Sequence, residues 1–335
     1  MSNQNERRSG AAHIAVVGAG QIGTPLVARL LEQGHALTWI SRTRPERVPE
    51  GARHVAIDAS DAQALAQALQ GTQAVIAAVN PATYDAEVWA RSLPALHRGL
   101  IDGVGRVGAR LVLLDALYLY TTQEGPLSPS TRQAPETEKG KVRKQLADLL
   151  AAAQRAGRVR ASVLRAPDFW GPDLSAALLT REGLEGLRRG KGPLLLGNPD
   201  LPHAFAHRDD VVEALVTLAL AGDDVEGNVF HAPVIHPSPR QLVQAFADAF
   251  GVRVRPFVAP RWLLRVAGLF SRSTRGLVEM LPQWQAPYLV DDSGYCQRFG
   301  VRAISLAEGV ARIAQSQVVS RAALAASARI RGAVN

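Results

Sequence analysis

Residues 13–33 constrain this chain more than any other stretch. An apolar run, His13–Val17, passes directly into Gly18-Ala-Gly20-Gln21-Ile22-Gly23. The glycines in turn open a helical pattern, Ile22–Gln33, with its apolar face at Ile22, Leu26, Leu30 and Leu31. A strand, a glycine turn and a helix in that order begin a βαβ unit, which commits the chain to a parallel sheet. In such a loop the first glycine makes the tight turn, the second lets a pyrophosphate approach the backbone, and the third brings helix and strand together. The helix N-terminus adds unpaired N–H groups and a positive dipole. Strand, loop, helix and a second strand in register read as a dinucleotide site, held by Gly18, Gly20, Gln21, Ile22 and Gly23; the alternative is a glycine turn without a ligand.

The alternation continues for half the chain. Strand patterns fall at Ala36–Ile40, Val55–Ile57, Ala74–Val79, Leu111–Leu114 and Arg160–Leu164. Helical patterns fall at Ala62–Leu69, Glu87–Leu100 and Val142–Ala156. Near-continuous apolar strands between helices imply a sheet covered on both faces. With right-handed crossovers this is an α/β fold, a Rossmann-type doubly wound parallel sheet. Beyond residue 165, Pro and Gly cluster at Ala166–Asp173, Gly190–Pro202 and Pro233–Pro239, with helical patterns at Asp209–Ala221 and Pro239–Phe250. These segments suggest a smaller C-terminal substrate lobe. The expected organisation is a polar tail over 1–11, a cofactor-binding core over 12–165, late strands plus lobe over 166–318, and a C-terminal helix or tail over 319–335.

Composition excludes several classes. Hydrophobic residues make up 47% of the 335, enough for a sizeable core. Cys296 is the one cysteine, so neither an intrachain disulfide nor a cysteine-based zinc site can form. No metal site is expected; His203 and His207 are four apart, but the neighbouring Pro202 and aromatic residues favour strand or loop over helix. No apolar stretch has the length of a secretory core or a membrane span, so a soluble cytoplasmic protein without a membrane partner is the expectation. The net charge of +8 admits anionic partners. The arginines are dispersed, however, and no nucleic-acid-binding signature is present.

The end of the second strand bears on which dinucleotide binds. An NAD site places Asp or Glu there, whereas this chain has Ser41-Arg42-Thr43-Arg44. A guanidinium and a hydroxyl favour a 2′-phosphate, so NADP(H) is the expected cofactor; a solvated basic turn is the alternative. Asp58, ending the third strand, can accept from an adenine amino group or cap the helix near Asp61. Asn80, ending the fourth, can touch ribose or nicotinamide, or serve as a turn residue before Pro81.

With these segments in place, the chain resembles the extended short-chain dehydrogenases/reductases, the group that holds nucleotide-sugar epimerases and dehydratases. The resemblance rests on the glycine loop, Ser41-Arg42, Asp58, Leu164-Arg-Ala-Pro-Asp-Phe-Trp-Gly-Pro172 and Ala204-Phe-Ala-His-Arg-Asp-Asp210, and spans about residues 13 to 315. It implies a seven-stranded sheet, a substrate lobe contacting a small molecule through Asp168, Trp170 and His207, and a homodimer through helices near Val88–Leu100 and Val142–Ala156. The glycine spacing departs from the G-x-x-G-x-x-G usual in extended members. The catalytic set departs further. Aligning Tyr118-Leu-Tyr120 with the family's Val-Tyr-Gly turn puts Ala116 at the usual serine. Aligning Lys139-Gly-Lys-Val-Arg143 with Tyr-Gly-x-x-Lys puts Lys139 at the usual tyrosine and Arg143 at the usual lysine.

Three residues are candidates to replace that set. Lys139 and Arg143, four apart, share a helix face and can move a proton or hold a developing oxyanion. The alternative is a solvated charge run. Tyr118 can donate a proton, or pack as an aromatic; Tyr120, on the opposite parity, is expected to pack, and Asp115, Tyr118 and Glu124 can form a polar wall. The expected function is an NADP(H)-dependent oxidoreductase acting on a carbonyl, imine or conjugated alkene. An epimerase or isomerase using the cofactor transiently, or an NADP(H)-binding sensor or scaffold without turnover, stand as alternatives. Asp210 reads as a helix N-cap, and His231 and His236 as ordinary loop residues. Trp262–Phe270 reads as a core or pocket-lining helix rather than a membrane-interface one. Arg321–Arg331 reads as an Ala-rich helix.

Overall fold

The computed structural model describes residues 10–121 and 125–315; the Arg321–Arg331 pattern and Glu124 lie outside the described residues. The strands are β1 His13–Val17, β2 Ala36–Ser41, β3 Ala52–Ala56, β4 Ala74–Ala77, β5 Arg110–Ala116, β6 Arg160–Ala166, β7 Asp168–Trp170, β8 Leu194–Leu195, β9 Phe205–His207, β10 Val229–His231 and β11 Phe257–Val258. The helices are α1 Gly23–Glu32, α2 Ala62–Ala68, α3 Ala86–Arg106, α4 Glu138–Arg155, α5 Arg181–Arg188, α6 Arg208–Leu220, α7 Pro239–Ala249, α8 Arg261–Phe270, α9 Arg272–Glu279 and α10 Ser293–Phe299.

Two compact units divide the chain. The first, among the described residues, comprises 10–121, 129–166 and 211–231, and holds one seven-stranded sheet in the order β10-β6-β5-β4-β1-β2-β3. All its pairings are parallel, so the doubly wound sheet expected from the alternation is present. Strand order reverses between β1 and β4, and at such a switch point the carboxyl ends of the strands leave a crevice for a ligand. The core is built from central-strand residues such as Ala15, Val17, Val75 and Ala77, against Leu65, Leu100 and Val104 of the helices.

Three departures from the sequence expectation have local causes. β3 starts at Ala52, three residues before the apolar run, because it is the sheet's edge and can leave Arg53 exposed. α3 runs on past Leu100 to Arg106 although Gly99, Gly103 and Gly105 lie in its path. Those glycines are contact points. A Cβ on Gly99 would stand 2.2 Å from the Ala59 carbonyl oxygen, and one on Gly105 2.0 Å from that of Arg158. α4 begins at Glu138, a turn before the apolar pattern, because Thr137 caps it by accepting from the Gly140 N–H at 3.0 Å.

Among the described residues, the second unit comprises 125–128, 167–210 and 232–315. Two short parallel pairs, β7 with β9 and β8 with β11, frame a core of Leu184, Leu187, Phe205, Leu242, Phe246 and Leu281. α7 carries a full capping box between Ser238 and Gln241. Asp210 is not the N-cap of α6 that the sequence suggested. The His207 Nδ1 accepts from the Asp209 N–H at 3.2 Å, one residue upstream of the helix start, while Asp210 accepts from the Ile304 N–H at 2.8 Å. Trp262–Phe270 lies in α8 and gives the core only Leu264, whereas Trp262 is 66% exposed and Phe270 87%. No helix among the described residues is long and apolar enough to cross a membrane.

Candidate functional site: the glycine loop and a buried charge chain

The loop after β1 has the geometry its glycines suggested. Gly18 sits at φ 121°, and a Cβ there would meet the Ala78 carbonyl oxygen at 2.4 Å. A Cβ on Gly23 would meet the Gly18 carbonyl oxygen at 2.2 Å, so α1 lies directly on the turn. Around Gly20 nothing lies within 4 Å of the Cβ position: the second glycine faces open space. α1 has no side-chain cap, with Ile22 at its N-cap position. An open glycine beside an uncapped helix N-terminus fits a pyrophosphate. One anchor was illegible in the sequence. The Trp39 indole of β2, buried, donates to the Gly18 carbonyl at 2.8 Å and pins the turn to the neighbouring strand.

At the end of β2, the Ser41 hydroxyl donates to the Thr43 carbonyl at 2.8 Å and lies 2.9 Å from His54 Nε2. Ser41 thus shapes the turn that carries Arg42, which is exposed. Asp58 accepts from the Ser60 N–H at 2.9 Å, and this bond, with Arg42 nearby, holds its carboxyl below the usual carboxylate range. The cap of α2 is Asp61 rather than Asp58.

A chain of polar groups, buried except at Asn80, crosses the carboxyl end of the sheet. Arg143 of α4 donates to Asn80 Oδ1 at 2.6 Å and to Asp115 Oδ1 at 3.2 Å. The other oxygen of Asp115 lies 3.4 Å from Arg165 Nε, on its register partner in β6. Arg165 donates to the Tyr120 hydroxyl at 2.6 Å, and that hydroxyl lies 3.0 Å from His231 Nε2. Guanidinium has only donors, so the Tyr120 oxygen accepts from Arg165, while the direction of its bond with His231 follows the imidazole tautomer. Burial pushes the Tyr120 phenol up, partly offset by Arg165.

Lys139 and Arg143 do share a helix face, but they are not a solvated charge run. Lys139 is fully buried and Arg143 is 5% exposed. The Lys139 Nζ lies 4.4 Å from the centre of the Tyr84 ring, and the Arg143 guanidinium 4.7 Å from that of Trp89. Tyr84, Trp89 and Tyr118 form one aromatic cluster. β5 ends at Ala116, so Tyr118 lies in the following turn instead of on a continuing strand. Asn80 is neither a bare turn residue nor free to rotate. Because Arg143 only donates, the atom facing it must be the amide oxygen, and the NH2 group points away. His231 is likewise a bonded strand residue rather than an ordinary loop residue.

In the second unit, Asp168 Oδ2 lies 2.8 Å from His203 Nε2, and His203 stacks on Trp284 with ring centres 3.9 Å apart. Trp170 and His207 meet edge to face at 4.7 Å. Both are buried, at 2% and 1% exposure. Of the three residues expected to contact substrate, only Asp168 keeps appreciable exposure; Trp170 packs against Gly309, where a Cβ would strike its ring at 2.3 Å. Burial lowers His207 to about 4. No cluster of His, Cys, Asp and Glu suited to a metal occurs among the described residues.

Residues 18–164 match the sequence profile of an NAD(P)H-binding family. The fold as a whole is that of the nucleotide-sugar epimerase and dehydratase structures. A dTDP-glucose 4,6-dehydratase from Streptomyces venezuelae, solved with NAD and TYD bound, superposes with a TM-score of 0.72 at 20% identity, over 90% of this chain and 96% of that one. A UDP-glucose 4-epimerase from Thermotoga maritima, solved with UDP-glucose, gives 0.73 at 17% identity, over 92% and 99%. A UDP-glucuronic acid 4-epimerase from Bacillus cereus, solved with NAD, gives 0.71 at 14%, over 91% and 99%. A 63-residue stretch, 18% of this chain, is 46% identical to an uncharacterized protein of Mycobacterium tuberculosis, and the match spans 7% of that protein's length.

Proposed function

We propose that the chain is an NADP(H)-dependent oxidoreductase of the atypical extended short-chain type, acting on a small organic carbonyl, imine or conjugated alkene. The observation that carries the reading is the loop itself. Gly20 opens to space beside an uncapped helix, and an arginine rather than a carboxylate follows the second strand. Backbone N–H groups from Gln21 to Gly23 would take the pyrophosphate. Arg42 would take the 2′-phosphate, on a turn that Ser41 holds in shape. Asp58, with Oδ1 occupied by Ser60, would receive an adenine amino group on Oδ2. When bound, the nicotinamide supplies hydride exchange at its C4.

The chain's own residues would handle the accompanying charge and proton. Asn80, its amide fixed by Arg143, presents N–H donors at the end of β4 and would orient the ribose. Arg143 and Lys139 keep positive charge near that edge. Tyr118 is the better proton donor of the three candidates, because it is half-buried whereas Lys139 is fully enclosed. Asp168 would contact the substrate.

Fluorescence titration with NADPH and NADH tests the cofactor. Incubation with a panel of carbonyl, imine and enone substrates, followed at the NADPH absorbance, tests the reaction. Tighter binding of NADPH and substrate-dependent oxidation support the reading. An epimerase or isomerase would turn substrate over without net NADPH consumption. Binding without turnover on any substrate would favour the sensor reading, which the missing hydroxyl at Ala116 and the enclosed Lys139 support.

A further inference from the structure

α8 wears its amphipathicity inside out. A surface helix ordinarily buries its apolar stripe and exposes its polar one. Here the buried positions are Leu264 and Gly268, while Trp262 is 66% exposed, Leu263 38%, Val266 48%, Leu269 73% and Phe270 87%. At about 100° per residue these five exposed side chains fall within an arc of roughly 120°. Arg261 and Arg265, both exposed, border that arc on one side. The helix is held in place from its opposite face. Arg275 of α9 donates to the Gly268 carbonyl at 3.2 Å, and a Cβ on Gly268 would lie 3.4 Å from the Arg275 Cα. Leu277 of α9 adds another exposed apolar residue, at 40%.

The charge around this face is predominantly positive, with half-buried Glu279 at the end of α9 the hairpin's one carboxylate. From residue 249 to 278 the chain carries six arginines, Arg253, Arg255, Arg261, Arg265, Arg272 and Arg275, and no Asp or Glu. All six are exposed. A second copy docking by the same face would set these cations against their own symmetry mates, which opposes self-association. A surface that is apolar at its centre and anionic in bulk answers both properties. Trp, Phe and Leu enter the boundary between headgroups and acyl chains, and the arginines meet the headgroup charge.

We propose that the α8–α9 hairpin docks the protein, lying flat, on the surface of an anionic lipid bilayer. The helix is too short to span one, and binding of this kind needs no span. Flotation of the full chain with phosphatidylcholine vesicles, with and without one-fifth phosphatidylglycerol, tests it. Binding to the anionic vesicles alone is expected, weakened by salt. W262S/F270S and, separately, R261Q/R265Q should each lower the partition coefficient at least tenfold with an unchanged thermal midpoint. Both pairs are exposed, so the fold tolerates them. Trp262 is the exposed one of five tryptophans, so bromine-labelled lipid should quench it selectively. Absence of flotation with anionic vesicles would overturn the proposal, as would equal flotation of wild type and variants. So would a sedimentation profile in which wild type is dimeric and W262S/F270S monomeric, which would assign the face to a second copy.

Discussion

Arg143 reaches across from α4 to hold the Asn80 amide oxygen at 2.6 Å, and with the same guanidinium grips Asp115 at 3.2 Å. A helix is thereby tied to the ends of two central strands beside the switch point of the sheet. Asp115 in turn is shared between Arg143 and Arg165, all three buried. Removing the carboxylate leaves two buried guanidiniums facing each other. Breaking a buried pair in this way costs about 3–5 kcal/mol. Asp115→Ala is therefore expected to lose a stability of that order in urea unfolding, and Asp115→Asn somewhat less; a loss below 1 kcal/mol would mean the chain of bonds is loose.

The glycines of the loop separate fold from binding. Gly23→Ala forces a Cβ to 2.2 Å from a backbone oxygen and should lower both the melting temperature and cofactor affinity. Gly20→Ala meets nothing within 4 Å, so the protein should melt as wild type while the cofactor, needing that space, binds at least tenfold more weakly. Thermal melts paired with cofactor titrations read both. Equal affinity for Gly20→Ala would remove the pyrophosphate from this loop.

Arg42→Ala should discriminate the two cofactors. A charge-assisted hydrogen bond to a phosphate is worth about 1.5–3 kcal/mol, or roughly ten- to hundredfold in Kd. NADPH affinity should fall by that factor and NADH affinity stay nearly constant. An equal fall for both would place Arg42 outside the 2′-phosphate site.

Tyr120→Phe keeps the ring and deletes the hydroxyl between Arg165 and His231. Both partners then lose a buried hydrogen bond, and the expected destabilisation is about 1–3 kcal/mol. The measurement is chemical unfolding. Restoration of stability by a second change, His231→Phe, would indicate that the unsatisfied histidine carries most of the loss.

Acid should destabilise the protein well above the carboxylate range. His97 and His207 are each lowered by burial to about 4 from an unfolded value of 6.5. Between those values the unfolded chain binds protons that the native chain does not. The stability they contribute is thus complete above pH 6.5 and drains as pH falls toward 4. Asp210 acts oppositely. Burial raises it from 3.8 to about 6, so its contribution is present at low pH and lost as pH rises through 6. Two histidines outweigh one carboxyl, and His54 and His236, also lowered by burial, act in the same direction, so stability declines as pH falls below 6. Urea midpoints from pH 7.5 to 5 should fall accordingly, and His97→Gln should flatten the decline.

The alternation of apolar runs with helical patterns, and the glycine spacing between the first pair, determined the parallel sheet and the position of its glycine loop from sequence alone. Those signals are local: a period of two or 3.6 and a glycine where no Cβ fits are properties of adjacent residues. The tertiary structure decided what the charges do. Lys139 and Arg143 sit in a run that reads as solvated, yet they are buried against Tyr84, Trp89, Asn80 and Asp115, partners 28 to 63 residues away for the hydrogen bonds. Arg165, Tyr120 and His231 joined the same chain of bonds with no sequence pattern to mark them. α8 shows the converse, an apolar helix that sequence assigns to a core or pocket lining and that the fold buries only at Leu264 and Gly268, leaving its broader apolar face exposed. Burial depends on what packs against a side chain from distant parts of the chain, and neither periodicity nor charge pattern encodes that.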